Sequence, residues 1–198
     1  GCEIGLAAHA RIIDAKGMIG LPEVKLGLLP GAGGTQRLPR LAGLANAIEI
    51  MASGRMVPAG EARALGIVDA VAEGDVRGAA VALARQLAHQ PIRRTSDRAV
   101  PQEDPDALGE VEGKVRKEAR GRIAPPRIVE IAKLASLLPV AEALPFERKA
   151  FLELVASDQS RALRHAFFAE REVAKVRGIE GVAARPLRQI GVIGAGTM

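Results

Sequence analysis

Leu29-Pro30-Gly31-Ala32-Gly33-Gly34-Thr35-Gln36-Arg37-Leu38-Pro39 is the stretch on which the reading of this chain turns. It emerges from a Gly/Pro loop that runs from Gly27 to Gly34, a composition that marks irregular backbone. Just ahead lies Gly20-Leu21-Pro22-Glu23, a turn-like lead-in to another apolar stretch. Twenty residues before Glu23 stands Glu3, which follows Gly1-Cys2 at the head of an apolar helix. A carboxylate there is unusual as core filler. At that separation the two acids share no helix face, so only tertiary folding could bring them together. By spacing alone, both read as solvated surface acids.

Outward from this stretch the chain divides into four textures. Residues 1–90 are rich in Gly and short apolar runs. Ile4–Ala10 suits a buried helix, and Arg11–Ala15 and Met18–Gly20 read as short strands. Leu44–Ser53 is helical by pattern and closed by Gly54. Pro58 stands where a helix starts and Gly66 where it stops. Ile67–Ala72 is a strand candidate, and Asp75 a plausible N-cap for a helix over Val76–His89. Residues 91–126 mix charges with Pro91, Pro101, Pro105, Pro125 and Pro126, and read as a connection ordered only in part. Residues 127–178 read as a helical packing unit: Ile128–Leu138 stops at Pro139, Pro145 supplies an N1 position, and Ser157 or Asp158 caps a last helix that Gly178 can end. There Phe151, Leu154 and Val155 fall on one face, and Leu163, Ala166 and Phe167 repeat at helical spacing.

With 198 residues, 48% hydrophobic and 26% charged, the chain can bury one sizeable core or two small ones. Tyr and Trp are absent and Phe numbers four, so that core must be aliphatic. Cys2 is a single cysteine, which fits a reducing, cytoplasmic setting. No apolar run reaches the roughly 18–20 residues that span a bilayer. The start has neither an initiator Met nor a basic signal-peptide region, so the chain is expected to begin inside a longer protein. A net charge of +5 favours anionic ligands. Basic and acidic residues are nonetheless interleaved without aromatics, which argues against a specific nucleic-acid role.

Gly1-Cys2-Glu3, Gly20-Leu21-Pro22-Glu23 and the Leu29–Pro39 stretch together resemble, in order and spacing, the signature of the crotonase (enoyl-CoA hydratase/isomerase) family. The resemblance continues through Ala62-Arg63-Ala64-Leu65-Gly66-Ile67-Val68-Asp69. It implies a 2-enoyl-CoA substrate and a water held between two glutamates. Glu23 would act as base on the water that attacks C3, and Glu3 would orient that water and help deliver a proton to C2. Gly31 matches a glycine whose backbone N–H helps hold the water. The enolate-like oxygen of the thioester needs backbone N–H donors. In the family one donor lies immediately ahead of Gly1 and the other further upstream, so the isolated chain is expected to be inactive, at roughly 10²–10³ per missing donor. His9 stands where many single-function members have Asp, which leans towards the bifunctional branch; by itself it reads as a helix-end side chain. Cys2 reads as a packing residue.

At the other end, Ile190-Gly191-Val192-Ile193 followed by Gly194-Ala195-Gly196 opens a dinucleotide-binding fingerprint. Together with Arg185-Pro186-Leu187, it resembles the start of the 3-hydroxyacyl-CoA dehydrogenase domain of bifunctional β-oxidation enzymes. Phe151–Leu154, Ser157–Ser160 and His165–Arg171 resemble the helical linker of the same proteins. The implied fold is α/β: the C-terminal part of a crotonase ββα spiral (1–90), a connecting segment (91–126), linker helices (127–188) and the first strand of a truncated Rossmann domain (189–198). The implied cofactor is NAD, with Gly194 and Gly196 at its pyrophosphate, and no metal is expected. The parent protein would hydrate trans-2-enoyl-CoA and oxidise the product. Isomerisation of an enoyl-CoA in the same site, or a non-catalytic scaffold role, are the other readings. Whether a thiolase subunit joins the protein is left open.

Overall fold

Helix α1 (Cys2–Ala7) leads into β1 (Ile12–Asp14) and β2 (Met18–Gly20). The computed structural model describes residues 1–173, and beyond them 175, 178, 181–183, 185–191, 193, 194 and 196. A 3₁₀ turn over Pro22–Leu26 is followed by α2 (Gly34–Arg37), α3 (Pro39–Ala42) and α4 (Leu44–Ser53). Then come β3 (Met56–Pro58), α5 (Ala59–Ala64), β4 (Ala70–Ala72) and α6 (Val76–Leu87). After a 3₁₀ turn at Thr95–Asp97 the chain is helical: α7 (Pro105–Ala119), α8 (Ala124–Lys133), a 3₁₀ turn at Leu134–Ser136, α9 (Val140–Ala156) and α10 (Asp158–Val173). β1 pairs with β4 in parallel, Ile13 opposite Val71. β2 pairs with β3 antiparallel, Ile19 opposite Val57.

The centre of the molecule is α4. Leu44, Ala45, Ala47, Ile48, Ile50, Met51 and Ala52 are all buried, so this helix is apolar on nearly every side. A helix of that kind needs neighbours all round. They are α3, α7, α8 and the Pro22–Leu26 turn. Ile48, wholly buried, contributes about 1.5–3 kcal/mol by leaving water. The start of α4 has no cap of its own. Glu103 supplies one from 59 residues downstream, accepting the backbone N–H of Leu44 at 2.8 Å and that of Ala45 at 2.9 Å. A carboxylate there satisfies two orphan donors and meets the positive end of the helix dipole. Gly54 ends the helix in the left-handed conformation, φ 65°.

Several expected elements stand, and some are corrected. β1, β2, α4 and the Asp75 cap, which accepts the Gly78 N–H at 2.9 Å, form where the pattern places them. α1 begins two residues earlier than expected and stops at Ala7. It is not a buried helix, since only Leu6 is buried and Ile4 is 80% exposed. Residues 91–126 are more than a partly ordered connection. Asp104 caps and Pro105 starts a helix of 15 residues, whose Leu108, Val111 and Val115 join the core and whose Ala119 is buried. Pro145 lies inside α9 rather than at its first turn, because Pro139 already serves as the N-cap. It is the sixth residue of the helix, past the orphan donors of the first turn, so its ring removes the N–H that would donate to the Ala141 carbonyl. Ser157 caps α10 by accepting the Ser160 N–H at 3.1 Å.

The dehydrogenase-type strand expected at 190–193 does not form among the described residues there, Ile190, Gly191 and Ile193. A parallel strand is held by ladder bonds to neighbours, and neither of the described two-stranded sheets pairs with this segment. Val192, Ala195, Thr197 and Met198 lie outside the described residues.

Candidate active site

Folding brings Glu3 to the glycine loop. Its Oε1 accepts the backbone N–H of Ala32 and that of Gly34, each at 2.8 Å. The loop can present two N–H groups to one oxygen because Gly33 sits at φ 94°, a conformation that L side chains avoid. A Cβ on Gly33 would also strike the Arg37 guanidinium, which donates to the Ala32 carbonyl at 2.9 Å and ties the turn closed. Gly34 is equally constrained: a Cβ there would lie 2.8 Å from Glu3 Oε1 and 2.7 Å from Pro30. Gly31 lies under the Phe151 ring of α9, close enough that an added Cβ would fall 2.5 Å from it.

Glu23 stands in the first turn of the 3₁₀ segment Pro22–Leu26. Its Oε2 is buried and has no hydrogen-bond partner among the described residues. Burial pushes the Glu23 carboxyl above the ordinary carboxylate range, and the nearby charge of Glu3 adds to the effect. Both carboxylates act in the same way on Cys2, whose thiol is raised by burial, then Glu23, then Glu3, to about 11. Such a thiol is protonated at neutral pH and is no nucleophile. A cleft of about 520 Å³ runs past Cys2 along α1, β1 and β2, with Gly5, Ile13, Ile19 and Gly20 among its walls. His9 is exposed beyond the end of α1.

The helices expected to be a packing unit also hold both acid-bearing segments. Glu147 of α9, 1% exposed, accepts the Gly33 N–H at 2.7 Å, the Thr35 N–H at 3.2 Å and the Thr35 hydroxyl. Gln36 extends this network, donating to Thr35 Oγ1 at 3.0 Å and to the Ile131 carbonyl of α8 at 2.9 Å. From α10, Ser160 donates to the Leu26 carbonyl at 2.8 Å and so braces the turn that carries Glu23. Glu147 was not singled out from the sequence, yet a signal was present. Val140, Ala143, Glu147, Ala150 and Leu154 form one buried helical stripe, and a carboxylate in its middle needs a buried partner.

The family now follows. Residues 1–99 match the model described as enoyl-CoA hydratase/isomerase. This chain belongs to that family. Across its whole length it is 41% identical over 207 residues to the peroxisomal bifunctional enzyme of Cavia porcellus, of which it spans 28%. It is 34% identical over 208 residues to the fatty acid oxidation complex subunit alpha of Shewanella baltica, of which it spans 30%. This hydratase/isomerase-family chain thus covers under a third of the length of these curated relatives. The solved enoyl-CoA hydratase/isomerase from Pseudoalteromonas atlantica T6c superposes with a TM-score of 0.57, over 86% of this chain and 57% of that one. At 23% identity that likeness is one of fold, and it agrees with the mixed, helix-rich α/β architecture described above.

At the far end, Gly194 has φ 87°, a conformation suited to a tight turn. Among the described residues, no heavy atom lies within 4 Å of a Cβ placed on Gly194 or Gly196, and no strand leads into them. Among the described residues no helix is long and apolar enough to cross a membrane.

Proposed function

We propose that Glu3 and Glu23 form the acid–base pair of a site that adds water to trans-2-enoyl-CoA, within a bifunctional fatty-acid β-oxidation enzyme. The observation that carries this reading is their unequal setting beside one another. Glu3 has one oxygen pinned by two backbone N–H groups, whereas Glu23 turns a buried, unpartnered oxygen to its surroundings. A fixed carboxylate orients; a desolvated one with a raised pKa is the better proton acceptor. Glu23 takes a proton from water as its oxygen bonds to C3, and Glu3 orients that water and assists proton delivery to C2. The product is a 3-hydroxyacyl-CoA. Gly31, in the loop that holds Glu3, is assigned to the same site.

In this reading residues 1–90 and the helices α7, α8 and α9 that complete their core belong to the hydratase domain, and residues 189–198 open the dehydrogenase part. NAD, held in part by Gly194 and Gly196, would take hydride from the 3-hydroxyacyl-CoA there. The fingerprint residues and the relative named as bifunctional support that half. The donors for the thioester oxygen are assigned outside residues 1–198, so the chain alone is expected to turn over no substrate. A cytoplasmic setting rests on the single cysteine. One relative is named as peroxisomal, and cell fractionation decides between them. A thiolase partner would be sought by co-purification.

The test is hydration of a 2-enoyl-CoA by the full-length gene product, with Glu3→Gln and Glu23→Gln made separately. Each is expected to lower kcat by about 10²–10⁴, the usual contribution of a positioned acid or base. Rates within twofold of the unaltered enzyme for both variants would exclude the assignment. Assaying a 3-enoyl-CoA alongside separates hydration from isomerisation: loss of isomerisation in only one variant would indicate that a single glutamate serves that reaction.

A further inference from the structure

We infer that Glu147 of α9 is a positioning residue for hydration: it fixes the 31–35 loop so that the Ala32 and Gly34 N–H groups hold Glu3 in its working orientation. The inference rests on the hydratase reading and extends it from the first forty residues into the helical region.

The geometry alternates along the loop. The N–H groups of Ala32 and Gly34 point to Glu3, while those of Gly33 and Thr35 point to Glu147. Two carboxylates thus grip successive N–H groups of one short segment from opposite sides. Glu147 is 1% exposed, and each of its oxygens is engaged: Oε1 by Gly33, Oε2 by the Thr35 N–H and hydroxyl. A purely structural helix contact at this point would be better served by an apolar residue, since burying a carboxylate is costly unless it is hydrogen-bonded throughout. The bonds of Glu147 go to the segment that holds Glu3. Thr35 and Gln36 carry the restraint on to the Ile131 carbonyl of α8, so the loop is anchored to two helices rather than to one side chain. A misplacement of about 1 Å in such a group can cost on the order of 10² in rate.

The experiment is a double-mutant cycle in the full-length gene product, scored by kcat and KM for 2-enoyl-CoA hydration. Glu147→Gln keeps the side-chain size but presents an amide N–H₂ where one of the loop donors needs an acceptor. Glu147→Ala removes the grip altogether. Each is expected to lower kcat by roughly 10- to 100-fold with KM changed less than about threefold. In a Glu3→Gln background the same changes are expected to alter kcat by less than about twofold, because the group through which Glu147 acts is already lost. Equal losses in both backgrounds would show a general structural effect and overturn the inference, as would an unchanged kcat in the Glu3-containing enzyme. Hydrogen exchange at residues 32–35 serves if the alanine variant folds poorly. In Glu147→Gln it should speed up there and not in α4, and unchanged exchange at the loop also overturns the inference. If the unaltered enzyme hydrates no enoyl-CoA, the function reading fails. Active enzyme with indifferent Glu147 variants fails only this inference.

Discussion

Glu147 Oε1 accepts the backbone N–H of Gly33 at 2.7 Å, across 114 residues of chain. The family match ends at residue 99, well short of this partner. The core does not end there either: Val115, Ile128, Ile131, Ala150 and Leu154 pack in the same cluster as Leu6, Ile48 and Met51. A polypeptide of residues 1–99 would therefore expose α4 on the sides that α7 and α8 cover, and lose the Glu103 cap. It is expected to show no cooperative thermal transition by circular dichroism and to be digested rapidly by a nonspecific protease. A sharp transition of the 1–99 polypeptide would contradict the shared core.

The sequence made the local elements legible where chemistry is local. Gly54 ends α4 and Asp75 starts α6 because a left-handed glycine and a side-chain cap act within a few residues. Glu3 and Glu23 could be singled out as a pair only through family resemblance, since their proximity depends on tertiary folding. Glu103 and Glu147 were harder still. Each serves backbone N–H groups dozens of residues away; only Glu147, set in the apolar stripe of Val140, Ala143, Ala150 and Leu154, carries a local mark that separates it from a solvated acid. The Asp104-Pro105 start of α7 was a readable signal, masked by the prolines and mixed charges around it.

Gly31 and Phe151 are in tight register. A Cβ on Gly31 would come within 2.5–2.9 Å of three ring carbons of Phe151, too close for the ring to stay where it is. Gly31→Ala is expected to destabilise the chain by about 1–3 kcal/mol, the usual cost of overpacking. Phe151→Leu in the same chain should recover at least half of the loss, by urea denaturation. If the single variant is tolerated within ~0.5 kcal/mol, the contact is looser than described.

Arg11 is buried and served from several sides: its Nε donates to the Ile67 carbonyl at 2.7 Å, and its guanidinium lies 3.2 Å from Asp69. Burial lowers its affinity for the proton, and Asp69 opposes that effect. Asp69→Ala leaves a buried cation without its counter-ion. The expected cost is about 3 kcal/mol, the lower end for breaking a buried pair, because Asp69 is itself 21% exposed. Replacing both residues by apolar ones of similar size should cost less than the single change. A single-variant loss under ~1 kcal/mol would mean that the Ile67 and Ala8 carbonyls, which accept from Arg11 Nε and Nη1 at 2.7 Å each, satisfy Arg11 by themselves.

Glu23 gives the pH dependence its sign. Its carboxyl is raised above the ordinary 4.5, first by burial and then by Glu3. Between the unfolded and folded pKa values the native state binds more protons than the unfolded one, so stability falls as pH rises through that window. Glu23→Gln removes this charge and should make the chain more stable near neutrality. The gain is read as a higher Tm of the variant at pH 7–8 than the parent shows there. The gain should shrink as pH is lowered through the folded pKa. Activity should show the opposite preference. A base must be deprotonated to accept a proton, so kcat/KM for hydration should fall on the acid side with a midpoint above pH 4.5. Thermal melts of both forms from pH 4 to pH 8, paired with the rate profile, check the two halves together. A variant less stable than the parent at every pH, or an acid limb below 4.5, would show that Glu23 is stabilised as an anion and is not the desolvated base.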